Sequence, residues 1–309
     1  MGDMSRSSGG IEYRPATADD YDAVAEFTER TWSDLDVEVS DYLPEIYHEW
    51  IGGEDRHTLV ADAGDAIAGI AQVVMLSEWE GWAQGMRVNP DFRGEGIGRE
   101  INDRLFAWAR DAGAAVVRNM VFSWNQAGLG QSRALGYAPV TEFRWLRPDP
   151  DATAADALEQ YRGSAEAAWT YWTTSAARDH LGGLALDPDE SWALRDLTRS
   201  TLARAEDDDR LLTVSDAGGT QGLSYLTRVD ERESDGRLAE YGVAAWDDLD
   251  AGRALLDGIA ADASTRNADT IRVLIPETAR YVSDGARLRA GIGETPDFVL
   301  AADLSGTER

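Results

Sequence analysis

The stretch VNPDFRGEGIG, residues 88–98, constrains this chain more than any other. Glycines at 94, 96 and 98 follow an apolar run and open a long amphipathic segment, so the loop joins a strand (81–88) to a helix (98–112). Ile101, Leu105, Phe106, Trp108 and Ala109 supply that helix's apolar face. Such glycines serve either as a plain connector or as an anion cradle. Glycine turns the backbone at positive φ and lets a ligand approach the chain closely. First-turn N–H groups of a helix lack intrahelical partners, and the dipole adds positive charge there. Arg93 can add a charged donor to the same anion. Two other phosphate loops fit poorly. A dinucleotide fold needs a βαβ unit before its glycines, and a triphosphate loop needs Gly-Lys, whereas this chain has no lysine.

The segment before the loop reads as an antiparallel meander. After a short disordered start come a strand (11–14), a helix (15–32) with Thr17 as N-cap and Asp20 three residues on, and a helix (43–51). Strands follow at 57–61, 67–76 and 81–88. Beyond the loop helix lie a strand (115–122), a helix (126–135) stopped by Gly136, and a strand (140–146). RPDPD at 147–151 breaks the pattern and marks a junction. Past it, helical stretches are expected at 153–180 and 190–205, an exposed loop at 206–209, strands at 210–215, 222–229 and 237–243, a helix at 251–263 and a strand at 270–275. IGREINDRLFAWARDAGA (97–114) lies over AGRALLDGIAADASTRNA (251–268) without a gap, and GMRV (85–88) faces YGV (241–243). The chain therefore reads as a duplication, with domains at 1–147 and 148–309.

Net charge is −28 with 57 acidic residues, and all 29 basic residues are arginine. This resembles proteins of extreme halophiles, whose charged skins remain hydrated in concentrated salt. Nucleic acid is an unsuited partner, since binding phosphates needs a basic footprint. Absence of cysteine excludes disulfides, thiolate metal sites and cysteine nucleophiles. The histidines His48, His57 and His180 have no metal-ligand spacing, so no metal is expected. With no long apolar run and no signal peptide, the expected location is cytoplasmic, without a membrane.

VNPDFRGEGIG fills every fixed position of the pattern V-x-P-x-x-R-G-x-G-I-G, and the chain resembles the GNAT superfamily of acetyl-CoA-dependent N-acetyltransferases. Asn125, Gly128, Ser132 and Gly136-Tyr137 fall in register with the family's next segment, so the likeness covers about residues 11–147. It implies an α+β fold of tandem GNAT-like domains, each a mixed, mostly antiparallel sheet flanked by helices. It also implies acetyl-CoA as cosubstrate. Met86, Arg87 and Val88 would line its pantetheine arm, and Arg93, Gly94, Glu95, Gly96, Ile97, Gly98 and Arg99 would hold its pyrophosphate. Asn125 would stand near the thiol end.

Family members transfer acetyl directly to an amine, which must first be neutral. Glu80, or Glu78, stands where some members place the base. The family's usual thiolate acid is a tyrosine at the position of Ser132, a departure that makes a direct proton donor doubtful there. Tyr137 is the other nearby hydroxyl, at a position usually used for packing. Trp79, Trp82 and Trp124 serve either as an acceptor wall or as packing.

In the second half, VAAWDDLDAGRALL replaces Arg93 and most glycines by Asp247, Asp248 and Asp250. Carboxylates repel pyrophosphate, so this copy is expected not to bind CoA. Two functions remain open: acetylation of a primary amine on a small molecule or peptide, or acetyl-CoA binding without transfer as a sensor or scaffold. The assembly is expected to be a monomer or a homodimer.

Overall fold

The computed structural model describes residues 10–31, 41–232 and 236–306, with the backbone alone for 154–157. The expectation of a disordered start falls largely on residues 1–9, outside the described ones. In chain order the elements are β1 (Glu12–Pro15), α1 (Tyr21–Thr28), α2 (Leu43–Trp50), β2 (Arg56–Asp62), β3 (Ile67–Met75), β4 (Glu80–Val88), α3 (Ile97–Asp111) and β5 (Val116–Phe122). Next come α4 (Gln126–Ala134), β6 (Ala138–Leu146), α5 (Ala165–Trp172), α6 (Ala176–Leu181), β7 (Leu184–Leu186), β8 (Leu194–Asp196) and α7 (Arg199–Asp207). The chain closes with β9 (Leu211–Asp216), β10 (Gly219–Arg232), β11 (Gly236–Trp246), α8 (Leu249–Thr265), β12 (Thr270–Pro276), α9 (Ala279–Leu288) and β13 (Asp297–Asp303). The class is α+β, as the sequence implies.

Two compact units divide the chain. The first comprises Met1–Asn119, Ser132–Tyr137 and Ala301–Arg309, and the second Met120–Gln131 and Ala138–Leu300. Strand β6, read from sequence as the end of the first domain, groups with the second unit, and residues 301–306 return to the first.

In the first unit β1, β2, β3 and β4 pair antiparallel in that order, and β5 joins β4 in parallel. Helix α3 covers this sheet because Ile97, Ile101, Leu105 and Ala109, spaced four apart, form one buried stripe. It packs so closely that a Cβ on Gly69 of β3 would meet Ile101 and Ile97 at 3.0 and 3.1 Å. Phe27, Leu43, Tyr47, Trp50, Val60 and Ile70 form a buried core cluster with α1 and α2. The expected cap is present: Thr17 N–H and Oγ1 both donate to Asp20, at 2.8 and 2.9 Å. The first turn is 3-10, and α1 ends at Thr28.

The second unit repeats the pattern. β9, β10 and β11 pair antiparallel, β12 joins β11 in parallel after the crossover α8, and β6 pairs antiparallel with β12. Two expectations here are corrected. Residues 153–180 are not one helical stretch but a 3-10 segment followed by α5 and α6. The break falls at Gly163, where a Cβ would overlap Thr213. Residues 190–205 hold β8 and then α7, capped by Thr198 accepting from Thr201 N at 3.1 Å.

Candidate functional site

The site in the first unit starts where β4 and β5 part. Glu80, Gly81 and Trp82 face Val116, Val117 and Arg118, and among the described residues the pairing of the two strands ends there. On its other side β4 carries a bulge: Arg87 faces Ile70 and Gln84 faces Gln72, so Gly85 and Met86 stand opposite one residue. Gly85 sits at φ +64°, and a Cβ there would drive into the indole of Trp50. Only glycine fits, and α2 is thereby pressed against the bulge.

Past β4, Asn89 shapes the descent. Its Oδ1 accepts from Asp91 N at 3.1 Å and its Nδ2 donates to Ile67 O at 3.0 Å. Arg30 reaches Asp91 at 3.2 Å, and Arg93 donates to Thr31 O at 3.1 Å. Arg93, Gly94, Glu95 and Gly96 are exposed, whereas Ile97 and Gly98 are buried in the first turn of α3. Gly94 and Gly96 both adopt φ +82°, and a Cβ on either would meet no heavy atom within 4 Å. Gly96 is the N-cap of α3, with no side chain accepting from the first turn. An uncapped, unobstructed helix start beside a charged donor such as Arg93 fits a pyrophosphate. Arg99, by contrast, turns aside to donate to Ala134 O at 3.0 Å.

Other expected residues take up different tasks. Arg87 is buried in a two-point ion pair with Asp41, at 2.7 and 3.2 Å, so what it presents to a cosubstrate is backbone. Met86 and Val88 are half-buried. Glu80 is 1% exposed. Its Oε1 accepts from Arg118 at 2.5 Å and its Oε2 from Ser77 Oγ at 2.9 Å. This carboxylate is an ion-pair anchor, and acting as base would first require release of Arg118. Glu78 is exposed. Ser132 is buried and accepts from Asn119 Nδ2 at 3.0 Å. Tyr137 lies in the core, donating to Asn102 Oδ1 at 3.4 Å with Phe106 against its ring, and burial raises its pKa. Trp82 is core, while Trp79 is 45% exposed, so they form no common wall. Sequence reasoning missed Arg118, Asn119 and Asp41, because each acts through a partner distant in the chain.

Asn125 and Trp124 belong to the second unit. Asn125 Oδ1 accepts from Gly128 N at 2.8 Å and caps α4, and Trp124 stacks on Phe122 at 5.2 Å. In the second unit the start of α8, the segment that the sequence sets opposite the glycine loop, is closed. Asp248 is the N-cap of α8, its own carboxylate accepting from Ala251 N at 2.8 Å. The β11–β12 pairing ends at Tyr241 and Val273, and at the end of β11 Tyr281 Oη accepts from Trp246 N at 3.2 Å and donates to Trp246 O at 3.1 Å. Arg280 donates to the same oxygen at 2.6 Å.

The histidines have local partners: His48 stacks on Tyr21, His57 on Trp108, and His180 Nε2 meets Glu142 O at 3.0 Å. Among the described residues no group of three or more His, Asp and Glu is placed to hold a metal, and no helix is long and apolar enough to cross a membrane.

Residues 22–137 match the family described as acetyltransferase (GNAT) family. The chain is similar to the L-amino acid N-acyltransferase MnaT of Escherichia coli (strain K12), 26% identical over 160 residues, which are 44% of this chain and 92% of that protein. It is also similar to the thialysine N-epsilon-acetyltransferase of Bos taurus, 33% identical over 69 residues, 21% of this chain and 41% of that one. In fold it resembles the crystal structure of a GCN5-related N-acetyltransferase from Sphaerobacter thermophilus, with TM-score 0.59, 16% identity, and 96% and 97% of the two chains covered. Over residues 22–137 the chain is thus similar to the acetyltransferase (GNAT) family, and it is an acyltransferase.

Proposed function

We propose that the first unit transfers acetyl from acetyl-CoA directly to a primary amine of a small molecule or peptide. The observation that carries this reading is the start of α3: two positive-φ glycines with open space around them, an N-cap without a capping side chain, and Arg93 alongside. Backbone N–H groups from Arg93 to Gly98 hold the pyrophosphate, and β4 beyond Trp82, through Met86 and Val88, lines the pantetheine arm. When bound, acetyl-CoA supplies an activated thioester carbonyl. The chain's part is to place an amine against it and exclude competing water. The relatives' names, L-amino acid, thialysine and histidine transferases, make free amino acids the first acceptors to try.

An ammonium with pKa about 10.4 is neutral in roughly one molecule in 2,500 at pH 7. With Glu80 tied to Arg118, the proton goes to solvent, and kcat/KM rises about tenfold per pH unit below the amine's pKa. A thiolate of pKa about 8.5 leaves without a dedicated acid, consistent with serine at 132. Asn125 keeps its place as the cap of α4, close in sequence to that serine.

The second half is assigned as a degenerate GNAT-like domain. Asp248 already fills the helix start that an anion would need, and Tyr281 uses the backbone of Trp246. The reading includes tandem domains bounded near residues 147 and 148, a halophilic and cytoplasmic setting, and a monomer or homodimer. The experiment is thiol release from acetyl-CoA against an L-amino acid and peptide panel in molar salt. Amine-dependent release supports transfer. Binding of CoA without amine-dependent release would instead support the sensor or scaffold reading, which the missing tyrosine favours.

A further inference from the structure

Both units carry an acid and an arginine across their parallel strand pair. In the first, Glu80 on β4 bonds Arg118 on β5 at 2.5 Å, with the side chains 1% and 12% exposed. In the second, Glu240 on β11 is fully buried, is bonded by Arg272 on β12, and meets Arg228 at 3.2 Å. Each pair lies at the rungs where parallel pairing stops: after Trp82 and Arg118 in one unit, after Tyr241 and Val273 in the other. Stability alone does not explain such pairs, because apolar residues of similar volume serve a core as well or better. Registry does. A slip of one residue would turn β5 inside out, and packing forbids it. A slip of two keeps every side chain on its face and moves the strand by about 6.6 Å. Apolar side chains resist that slip weakly, whereas an ion pair fixed at both ends does not tolerate it.

We infer that Glu80 and Arg118 are positioning residues: their ion pair locks the β4–β5 register and so sets where the strands open for the cosubstrate. Glu80 sits directly opposite Val116, and Arg118 opposite Trp82, so the bond runs diagonally: a shift of two that carries Arg118 further along β4 breaks it, and the opposite shift changes the geometry in which Ser77 and Arg118 share the carboxylate. Gly81 tightens the same point, since a Cβ there would meet Val117 at 3.0 Å. Ser77 Oγ holds the second carboxylate oxygen, which keeps Glu80 from swinging away. This inference rests on the reading of the first unit as the acetyl-CoA site, but the lock can be measured without any ligand.

The test uses Glu80→Gln and the exchanged pair Glu80→Arg/Arg118→Glu in the full chain. Amide hydrogen exchange at Gly81, Trp82, Val117 and Arg118 is read first. It should quicken about tenfold in Glu80→Gln and return towards the native rate in the exchanged pair. The CoA dissociation constant should weaken about tenfold in the former and recover to within about threefold in the latter. The pH profile of kcat should keep its limb in both. Should Glu80→Gln fail to fold, the exchanged pair, which retains both charges, decides by the same readings. The inference is overturned if exchange at these amides is unaltered, or if Glu80→Gln loses the pH limb while CoA binding is native, which would make Glu80 the proton acceptor. Altered exchange in a native protein that binds no CoA would uphold the lock and instead sink the cosubstrate reading.

Discussion

Replacing Gly96 by alanine separates backbone strain from cosubstrate contact. Gly96 stands at φ +82°, ψ 4°, and Gly64, in the turn between β2 and β3, at φ +90°. An added Cβ meets nothing within 4 Å at either site, so the protein offers both methyl groups the same open space. Left-handed backbone costs an alanine about 1–2 kcal/mol, and the stiffer unfolded chain returns about 0.4–1 of it. Both variants should therefore lose about 1 kcal/mol, or about 2–4 °C in Tm. Only Gly96 opens α3, where the methyl group stands between the first-turn N–H groups and a pyrophosphate. Loss of one charge-assisted hydrogen bond is worth about 2 kcal/mol, or roughly thirtyfold in Kd. Calorimetric titration with CoA and thermal denaturation, both in the same molar salt, read the two effects. Equal Tm losses with a thirtyfold weaker Kd for Gly96→Ala alone are expected. Native CoA affinity in Gly96→Ala would refute the reasoning.

Further outcomes follow from single residues. Ser132→Ala should lower kcat by only about fivefold, the worth of one neutral hydrogen bond; a drop of several orders with intact folding would restore Ser132 as an obligatory acid. Tyr137→Phe should cost about 1 kcal/mol in denaturant unfolding and leave kcat unchanged, since the hydroxyl faces Asn102 in the core. Burial pushes Asp297 up to about 6 from 3.8, against the pull of the Trp145 indole. The folded protein thus holds this proton more tightly than the unfolded chain, so the contribution is full below pH 3.8 and is lost as pH rises through about 6. Asp297→Asn should therefore stabilise the fold by about 1–2 kcal/mol more at pH 8 than at pH 5 in denaturant unfolding, and an equal effect at both pH values would contradict it.

Much of this site is legible in the chain because its signals are local. The Gly94 and Gly96 spacing needs only the strand before it and the helix after it, and Thr17 with Asp20 caps a helix three residues away. The aspartates of the second unit are equally local, and Asp248 caps the helix it opens. The roles of Glu80, Arg87 and Ser132 are different. Their partners Arg118, Asp41 and Asn119 lie 38, 46 and 13 residues away, and only strand register and helix packing bring them together. A glutamate at the head of β4 reads as an open base until Arg118 is known to bond it. The helix boundaries around residues 153–205 failed for a related reason: Gly163 is dictated by Thr213 on another element, not by its neighbours in sequence.

The central claim is that one unit, the one bearing the open glycine loop, holds acetyl-CoA. Equilibrium dialysis of the full chain against labelled CoA in molar salt measures this directly. One CoA per chain, lost in the Gly94→Ala/Gly96→Ala double variant, is the predicted result; two per chain, or one that survives the double variant, would contradict it.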